Sequence, residues 1–101
     1  MLPQYDEMPV AEAEEKVEQP KLYKVLLHND DYTTMEFVIE ILESIFNMPE
    51  DQAIQVMLNV HVRGVGVAGI YTFEVAEMKV SKTTAAAREH EFPLLCTMEE
   101  A

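Results

Sequence analysis

Residues 28–38 read HNDDYTTMEFV, in which a polar loop starting at His28 leads directly into an amphipathic pattern. Thr33 is followed three residues later by Glu36, which is the spacing of a capping box, so the helix should begin near Thr34. Apolar pairs then recur every four residues, at Phe37 and Val38, Ile41 and Leu42, and Ile45 and Phe46. This pattern predicts a helix that ends near Asn47 and packs one apolar face against a core.

The loop before this helix is rich in side-chain oxygens. Asn29, Asp30 and Asp31 supply amide and carboxylate acceptors, and the packed helix should hold the loop in one geometry. Such a loop can accept hydrogen bonds from a ligand or hold a cation.

Length, charge and cysteine content exclude several classes of protein. A chain of 101 residues forms one domain at most, and its 19 acidic and 7 basic residues give a net charge of −12. This charge repels phosphate backbones and anionic lipid, so we expect neither nucleic acid nor a membrane as partner. Cys96 cannot form an internal disulfide, and no apolar run or signal segment indicates export. The sequence therefore predicts a cytoplasmic protein.

The remaining pattern divides the chain into an extension and a domain. Residues 1–20 carry three prolines and six acidic residues against one lysine, which predicts a flexible acidic N-terminal extension, either a solubilising leader or a functional arm. Residues 21–101 form the predicted domain. Its first element is a strand, Leu22 to Leu27, which leads into the polar loop.

Four further elements complete the predicted order. Pro49 suits the first position of a second helix that runs to about Val62 and is closed by Gly64 as a left-handed cap. A second strand over 65–71 contains two glycines, which favour a bulge or a close backbone approach. Thr72 is the expected N-cap of a third helix that runs to about Arg88, and residues 94–98 form a third strand. The predicted class is α+β, order β-α-α-β-α-β, with a three-stranded, mostly antiparallel sheet covered on one side by three helices.

Asn29, Asp30 and His61 form the candidate site. A protonated amine has three N–H donors and no acceptor, so its site needs about three converging lone pairs, which these side chains can supply. Met57 and Val60 share a helix face with His61, and Met35 and Val38 are three residues apart on the first helix. Two helices can thus form an apolar pocket with a polar mouth. The ordinary alternative is a surface histidine beside core methionines and valines.

A metal site and an enzyme are the other readings of these residues. His28, Asp30, Asp31 and His61 offer nitrogen and oxygen ligands, but their spacing matches no zinc or calcium motif. Cys96 stands in an apolar strand without a nucleophile motif. We therefore expect no metal, no cofactor and no catalysis.

Four segments in order resemble the ClpS adaptors of bacterial regulated proteolysis: residues 28–38, 57–61, 72–80 and 93–96. The resemblance covers about residues 21–101. It implies a non-enzymatic, monomeric adaptor for N-degrons, which are substrates with a bulky hydrophobic first residue (Leu, Phe, Tyr or Trp), and delivery of these substrates to the ClpA unfoldase of the ClpAP protease.

The resemblance also implies roles for individual residues. Asn29, Asp30 and His61 match the family residues around the α-amine. The family residues of the side-chain pocket correspond to Thr33, Met35, Val38, Met57, Val60 and Leu94, with Met35 as the gate against β-branched residues. Glu74 and Lys79 match the contacts with the N-terminal domain of the chaperone, and the leader would engage its translocating machinery. The alternative is an acidic binding domain of ribosomal-stalk type, which would leave the pocket residues unexplained.

Overall fold

The computed structural model describes residues 19–101 and contains three strands and three helices. The predicted N-terminal extension, residues 1–20, lies outside the described residues except for its last two positions. The elements are β1 (Leu22–His28), α1 (Met35–Ser44), α2 (Glu50–Arg63), β2 (Val65–Thr72), α3 (Phe73–Glu89) and β3 (Leu95–Glu100). This order confirms the predicted α+β class.

The sheet has the order β2-β1-β3, and both pairings are antiparallel. Val25 pairs with Gly69 whereas Leu26 pairs with Val67, so Ala68 is the extra residue of a β-bulge. The predicted bulge in β2 is therefore present beside Gly69. Gly66 permits the expected close approach of another element, because a Cβ at this position would lie 2.7 Å from Val60 Cγ2 of α2.

One face of the sheet is buried beneath the helices. Val25 and Leu27 of β1 are fully buried, while Lys24 and Leu26 between and beside them are only partly buried. This alternation is typical of an antiparallel sheet with one packed face. The helices contribute most of the remaining core, chiefly Phe37, Ile41, Leu42, Ala53, Met57, Ala76 and Ala87, and Ala68, Leu94 and Cys96 complete it.

The N-cap of α1 differs from the prediction. Thr34, not Thr33, is the N-cap, and its Oγ1 accepts a hydrogen bond of 3.1 Å from the Phe37 N–H. The Thr33 hydroxyl instead donates to Asp30 Oδ2 at 2.7 Å. The predicted capping box of Thr33 and Glu36 is thus wrong, because the loop uses Thr33 to satisfy an acidic side chain.

The C-terminus of α1 lies earlier than the predicted Asn47. The helix ends at Ser44, and Asn47 adopts a left-handed φ of 57°. Lys79 Nζ of α3 donates a hydrogen bond to the carbonyl oxygen of Ile45. This carbonyl lies past the last turn of α1, so the helix itself provides no N–H group for it. A lysine 34 positions away thus caps α1, and no local pattern in α1 encodes that contact.

The other boundaries agree with the prediction within one or two residues. Pro49 is the N-cap of α2 instead of its first residue, and Gly64 closes α2 with φ 90° while its N–H donates to the Val60 carbonyl. Thr72 is the N-cap of α3, as predicted. Within residues 19–101, no helix is long and apolar enough to cross a bilayer.

Candidate functional site

A cavity of about 480 Å³ opens between the loop that follows β1 and the walls of α1 and α2. This volume lies within the range of small-ligand sites. The loop, the start of α1 and the last turns of α2 line the cavity with Asn29, Asp30, Asp31, Tyr32, Thr33, Thr34, Met35, Glu36, Val38, Met57, Val60 and His61.

The three predicted amine ligands, Asn29, Asp30 and His61, all line this cavity. The loop positions the first two, and the last turn of α2 positions His61, 31 residues further along the chain. All the predicted apolar-pocket residues except Leu94 line the same cavity. Leu94 is 1% exposed and belongs to the core cluster.

The cavity has an apolar floor and a polar mouth. Val38, Met57 and Val60 are buried, whereas His61 is exposed and Met35 is 44% exposed. Because α1 and α2 both turn core-facing residues toward the cavity, its floor is continuous with the hydrophobic core. The site can therefore enclose an apolar group while its polar end remains in contact with water.

Asp30 organises the loop through three hydrogen bonds. Its Oδ1 accepts from the backbone N–H groups of Tyr32 at 2.8 Å and Thr33 at 2.7 Å, and its Oδ2 accepts from Thr33 Oγ1. Partial burial alone would raise the pKa of Asp30, but the bonds from Thr33 and Tyr32 outweigh this effect and lower the pKa below its ordinary value. The carboxylate therefore remains charged at the mouth of the cavity.

Four lining residues, Asp31, Tyr32, Thr34 and Glu36, were not among the predicted amine-binding or pocket residues. Asp31 and Glu36 add carboxylates to the rim, and the ring of Tyr32 is 75% exposed beside them. Within residues 19–101, the Asp31 carboxylate has no hydrogen-bond partner, so it is the acidic side chain of the loop whose oxygens are least engaged. The position of Asp31 directly after Asp30 is the feature of the sequence that could have identified it as a rim residue.

Glu74 and Lys79 lie on α3, apart from the cavity. Glu74 is exposed in the first turn of α3. Lys79 is partly buried, and its Nζ lies 5.8 Å from the ring centroid of Phe46 and 5.6 Å from that of Tyr71. Lys79 thus links α3 to the end of α1 and to β2, whereas the side chain of Glu74 is exposed at the surface.

Cys96 is unsuited to nucleophilic chemistry. Burial raises the pKa of its thiol to about 11, an effect that the neighbouring Thr83 hydroxyl partly offsets. The thiol is therefore protonated at neutral pH, and the thiolate is the reactive form. Among residues 19–101, no cluster of three or more histidine, cysteine or acidic side chains has the arrangement of a metal site.

The fold and the cavity define a small α+β binding domain whose site combines an apolar floor with a rim of hydrogen-bond acceptors. The sequence model of the family described as "ATP-dependent Clp protease adaptor protein ClpS" matches residues 18–97. The chain belongs to this family of adaptors.

Known relatives agree with this assignment. The chain is 55% identical over 96 residues to the ATP-dependent Clp protease adapter protein ClpS of Methylococcus capsulatus, covering 95% of this chain and 91% of the relative. It is 58% identical over 87 residues to that of Lawsonia intracellularis, covering 86% and 80% of the two chains. Agrobacterium tumefaciens ClpS2, in a structure with bound L-phenylalaninamide, superposes with a TM-score of 0.80 at 42% identity, covering 82% of this chain and all of that one.

Proposed function

We propose that this chain binds the free α-amine and the bulky hydrophobic first residue (Leu, Phe, Tyr or Trp) of N-degron substrates and delivers them to the ClpA unfoldase of the ClpAP protease. The observation that carries the proposal is that one cavity combines an apolar floor with a mouth rich in hydrogen-bond acceptors. The ligand of the Agrobacterium relative, L-phenylalaninamide, has both an amine and an apolar side chain. No step of bond making or breaking is involved.

The amine is assigned to the mouth of the cavity. Asn29 Oδ1, an Asp30 carboxylate oxygen and a neutral ring nitrogen of His61 supply acceptors for its three donors. Because both oxygens of Asp30 already accept bonds within the loop, Asp31 is a second source of negative charge for the amine.

The first side chain is assigned to the floor. Val38, Met57 and Val60 surround it, Thr33 and Met35 lie nearer the mouth, and Leu94 is the further residue expected to contribute from the core. Met35, at the exposed edge, would exclude side chains that branch at Cβ.

The expected affinity is moderate. Burial of one Leu or Phe side chain contributes about 1.5 to 3 kcal/mol, and each charge-assisted hydrogen bond contributes about the same. Three such bonds and one side chain thus supply roughly 6 to 12 kcal/mol, against association costs on the order of 4 to 15 kcal/mol. Such a balance suits an adaptor, which must release its substrate.

Peptide binding with a free or an acetylated N-terminus tests the proposal directly. We expect fluorescence anisotropy to show binding of peptides that begin with Leu, Phe, Tyr or Trp, and loss of binding on acetylation, because acetylation removes the charge and two of the three donors. A series across all twenty first residues would define the selectivity. Equal binding of free and acetylated peptides would contradict the proposal.

We further propose that Glu74 and Lys79 form the contact with the chaperone. The protein would act there as a cytoplasmic monomer. Glu74→Ala should weaken delivery to ClpAP without changing peptide affinity, because Glu74 does not line the cavity. Glu77→Ala, an exposed acidic residue on the same helix, is the matched control. Lys79 is less suitable for this test, since its substitution also removes the hydrogen bond to Ile45. Unimpaired delivery by Glu74→Ala would exclude Glu74 from the contact.

A further inference from the structure

A row of exposed apolar side chains runs along α2 beside the cavity. Ile54, Leu58 and Val62 are 37%, 42% and 78% exposed, and their spacing of four residues places them on one face of the helix. We call these three residues the α2 stripe. The core-facing side of α2 is a different one, formed by Ala53, Met57 and Val60.

The α2 stripe is continuous with the wall of the cavity. Ile54 lies three residues before Met57, and Leu58 lies three residues before His61. Residues three apart are neighbours on a helix surface, so two residues of the α2 stripe border the wall of the cavity. A helix of this kind normally hides its apolar face in the core, but among residues 19–101 these three side chains keep between 37% and 78% of their surface exposed.

The chain that follows a residue held in the cavity can run along either of two surfaces at its rim. On the side of the loop and α1, the rim carries the exposed carboxylates of Asp31 and Glu36. On the α2 side the surface beyond His61 is the apolar α2 stripe. An apolar side chain on the departing chain gains contact area only on the second route.

We propose that the α2 stripe is a second subsite, which contacts an apolar side chain at the second or third residue of the substrate and so extends recognition beyond the first residue. This inference rests on the proposed function. The dimensions of the helix and of the peptide agree. Residues four apart on a helix, such as Leu58 and Val62, are about 6 Å apart along its axis. The first and third residues of an extended peptide are about 6.6 Å apart. The third residue of an extended chain also points to the same side as the first.

Binding of peptides that differ only at one position tests the subsite. The probes are labelled peptides with a free N-terminus that begin Leu-Ala-Ala, Leu-Leu-Ala and Leu-Ala-Leu and are identical beyond. In the intact chain, we expect at least one leucine-extended peptide to bind about three- to tenfold more tightly than the alanine peptide, which is the gain that partial burial of one aliphatic side chain supplies.

Variants of the stripe locate the effect. The double variant Leu58→Gln, Val62→Ser should reduce the advantage to less than about twofold while leaving the affinity for the Leu-Ala-Ala peptide within about twofold, which shows that the cavity is intact. Ile70→Ser, which changes a 52% exposed residue of β2, is the control and should keep the full advantage.

Three results would overturn the inference. Equal affinities for all three peptides in the intact chain would show that the stripe is not available to the substrate. A full advantage in the double variant would place the contact elsewhere on the rim. Sedimentation showing a dimer that the double variant dissociates would make a second copy the occupant. In each case discrimination between free and acetylated N-termini would persist, whereas loss of that discrimination would overturn the proposed function instead.

Discussion

At the scale of single residues, the charge state of the mouth of the cavity follows from how each side chain is hydrogen-bonded. The three bonds to Asp30 lower its pKa. A depressed carboxyl pKa contributes stability that is present above the unfolded value and is lost as the pH falls through the folded one. Asp30 therefore stays ionised between pH 5.5 and 7.5, so changes in binding over this range must come from other groups.

His61 is the proposed acceptor that α2 supplies to the amine. A ring nitrogen of His61 can accept a hydrogen bond, as can the side-chain oxygen of a glutamine, whereas alanine has no acceptor. We expect His61→Ala to weaken the binding of a Leu-initiated peptide by about tenfold, which is the loss of one charge-assisted hydrogen bond, and His61→Gln to weaken it less. Fluorescence anisotropy measures both affinities. Equal affinity of the unchanged chain and His61→Ala would remove His61 from this role.

Met35 is the proposed gate of the cavity. It is 44% exposed at the edge of the cavity, where it can narrow the entrance for a side chain that branches at Cβ. Met35→Ala should therefore admit peptides that begin with Ile or Val while still binding those that begin with Leu. Titration of the Ile, Val and Leu peptides against both proteins measures this change. Persistent rejection of Ile and Val by the variant would place the gate elsewhere.

At the scale of elements, the start of α1 depends on Thr34. Removal of an N-cap hydroxyl costs about 1 kcal/mol, which corresponds to a decrease in Tm of roughly 4 to 8 °C for a domain of this size. We expect this loss in Thr34→Ala and little loss in Thr34→Ser, by thermal unfolding. Glu36→Ala should change the Tm little, because Glu36 does not take part in the observed cap. A larger effect of Glu36→Ala than of Thr34→Ala would restore the capping box.

The contact of α2 with β2 sets the position of the cavity floor. A Cβ at Gly66 would lie 2.7 Å from Val60 Cγ2, so Gly66→Ala should force α2 and β2 apart. We expect about 1 to 3 kcal/mol of destabilisation together with weaker peptide binding, because Val60 and His61 move with the helix.

A double-mutant cycle isolates this contact. Val60→Ala removes the clashing methyl groups, so the double variant should lose less stability in urea than the sum of the two single variants. Additive losses would mean that Gly66 and Val60 do not interact in this way.

At the scale of the whole molecule, the net charge of −12 is divided between the domain and its leader. Residues 1–18 of the leader contain six acidic side chains and one lysine. If the leader engages the chaperone, replacement of residues 1–18 by a Gly/Ser segment of equal length should preserve peptide affinity and abolish degradation by ClpAP. The readout is the degradation rate of a Leu-initiated reporter. An undiminished rate would reduce the leader to a solubilising segment.

Local sequence determined most of the fold. The apolar repeat of α1, Gly64 after α2 and the glycines of β2 each act through neighbours within a few residues, so their patterns predicted two helices, a left-handed cap and a bulge. The candidate ligands Asn29, Asp30 and His61 could be named because their residue types match the donors of an amine. The resemblance to the ClpS adaptors added the family and the roles expected of individual residues.

Contacts between distant segments were decided only by the tertiary structure. Lys79 of α3, 34 residues away in the sequence, completed the end of α1. The N-cap, by contrast, was decided within the loop, where the Thr33 hydroxyl bonds to Asp30 and Thr34 caps the helix. The burial of Leu94 in the core and the exposure of the α2 stripe likewise depend on which faces of the helices meet. Periodicity shows that a face is apolar, but only the packed chain shows whether that face is covered, because burial is a property of the neighbours in space and not of the neighbours in sequence.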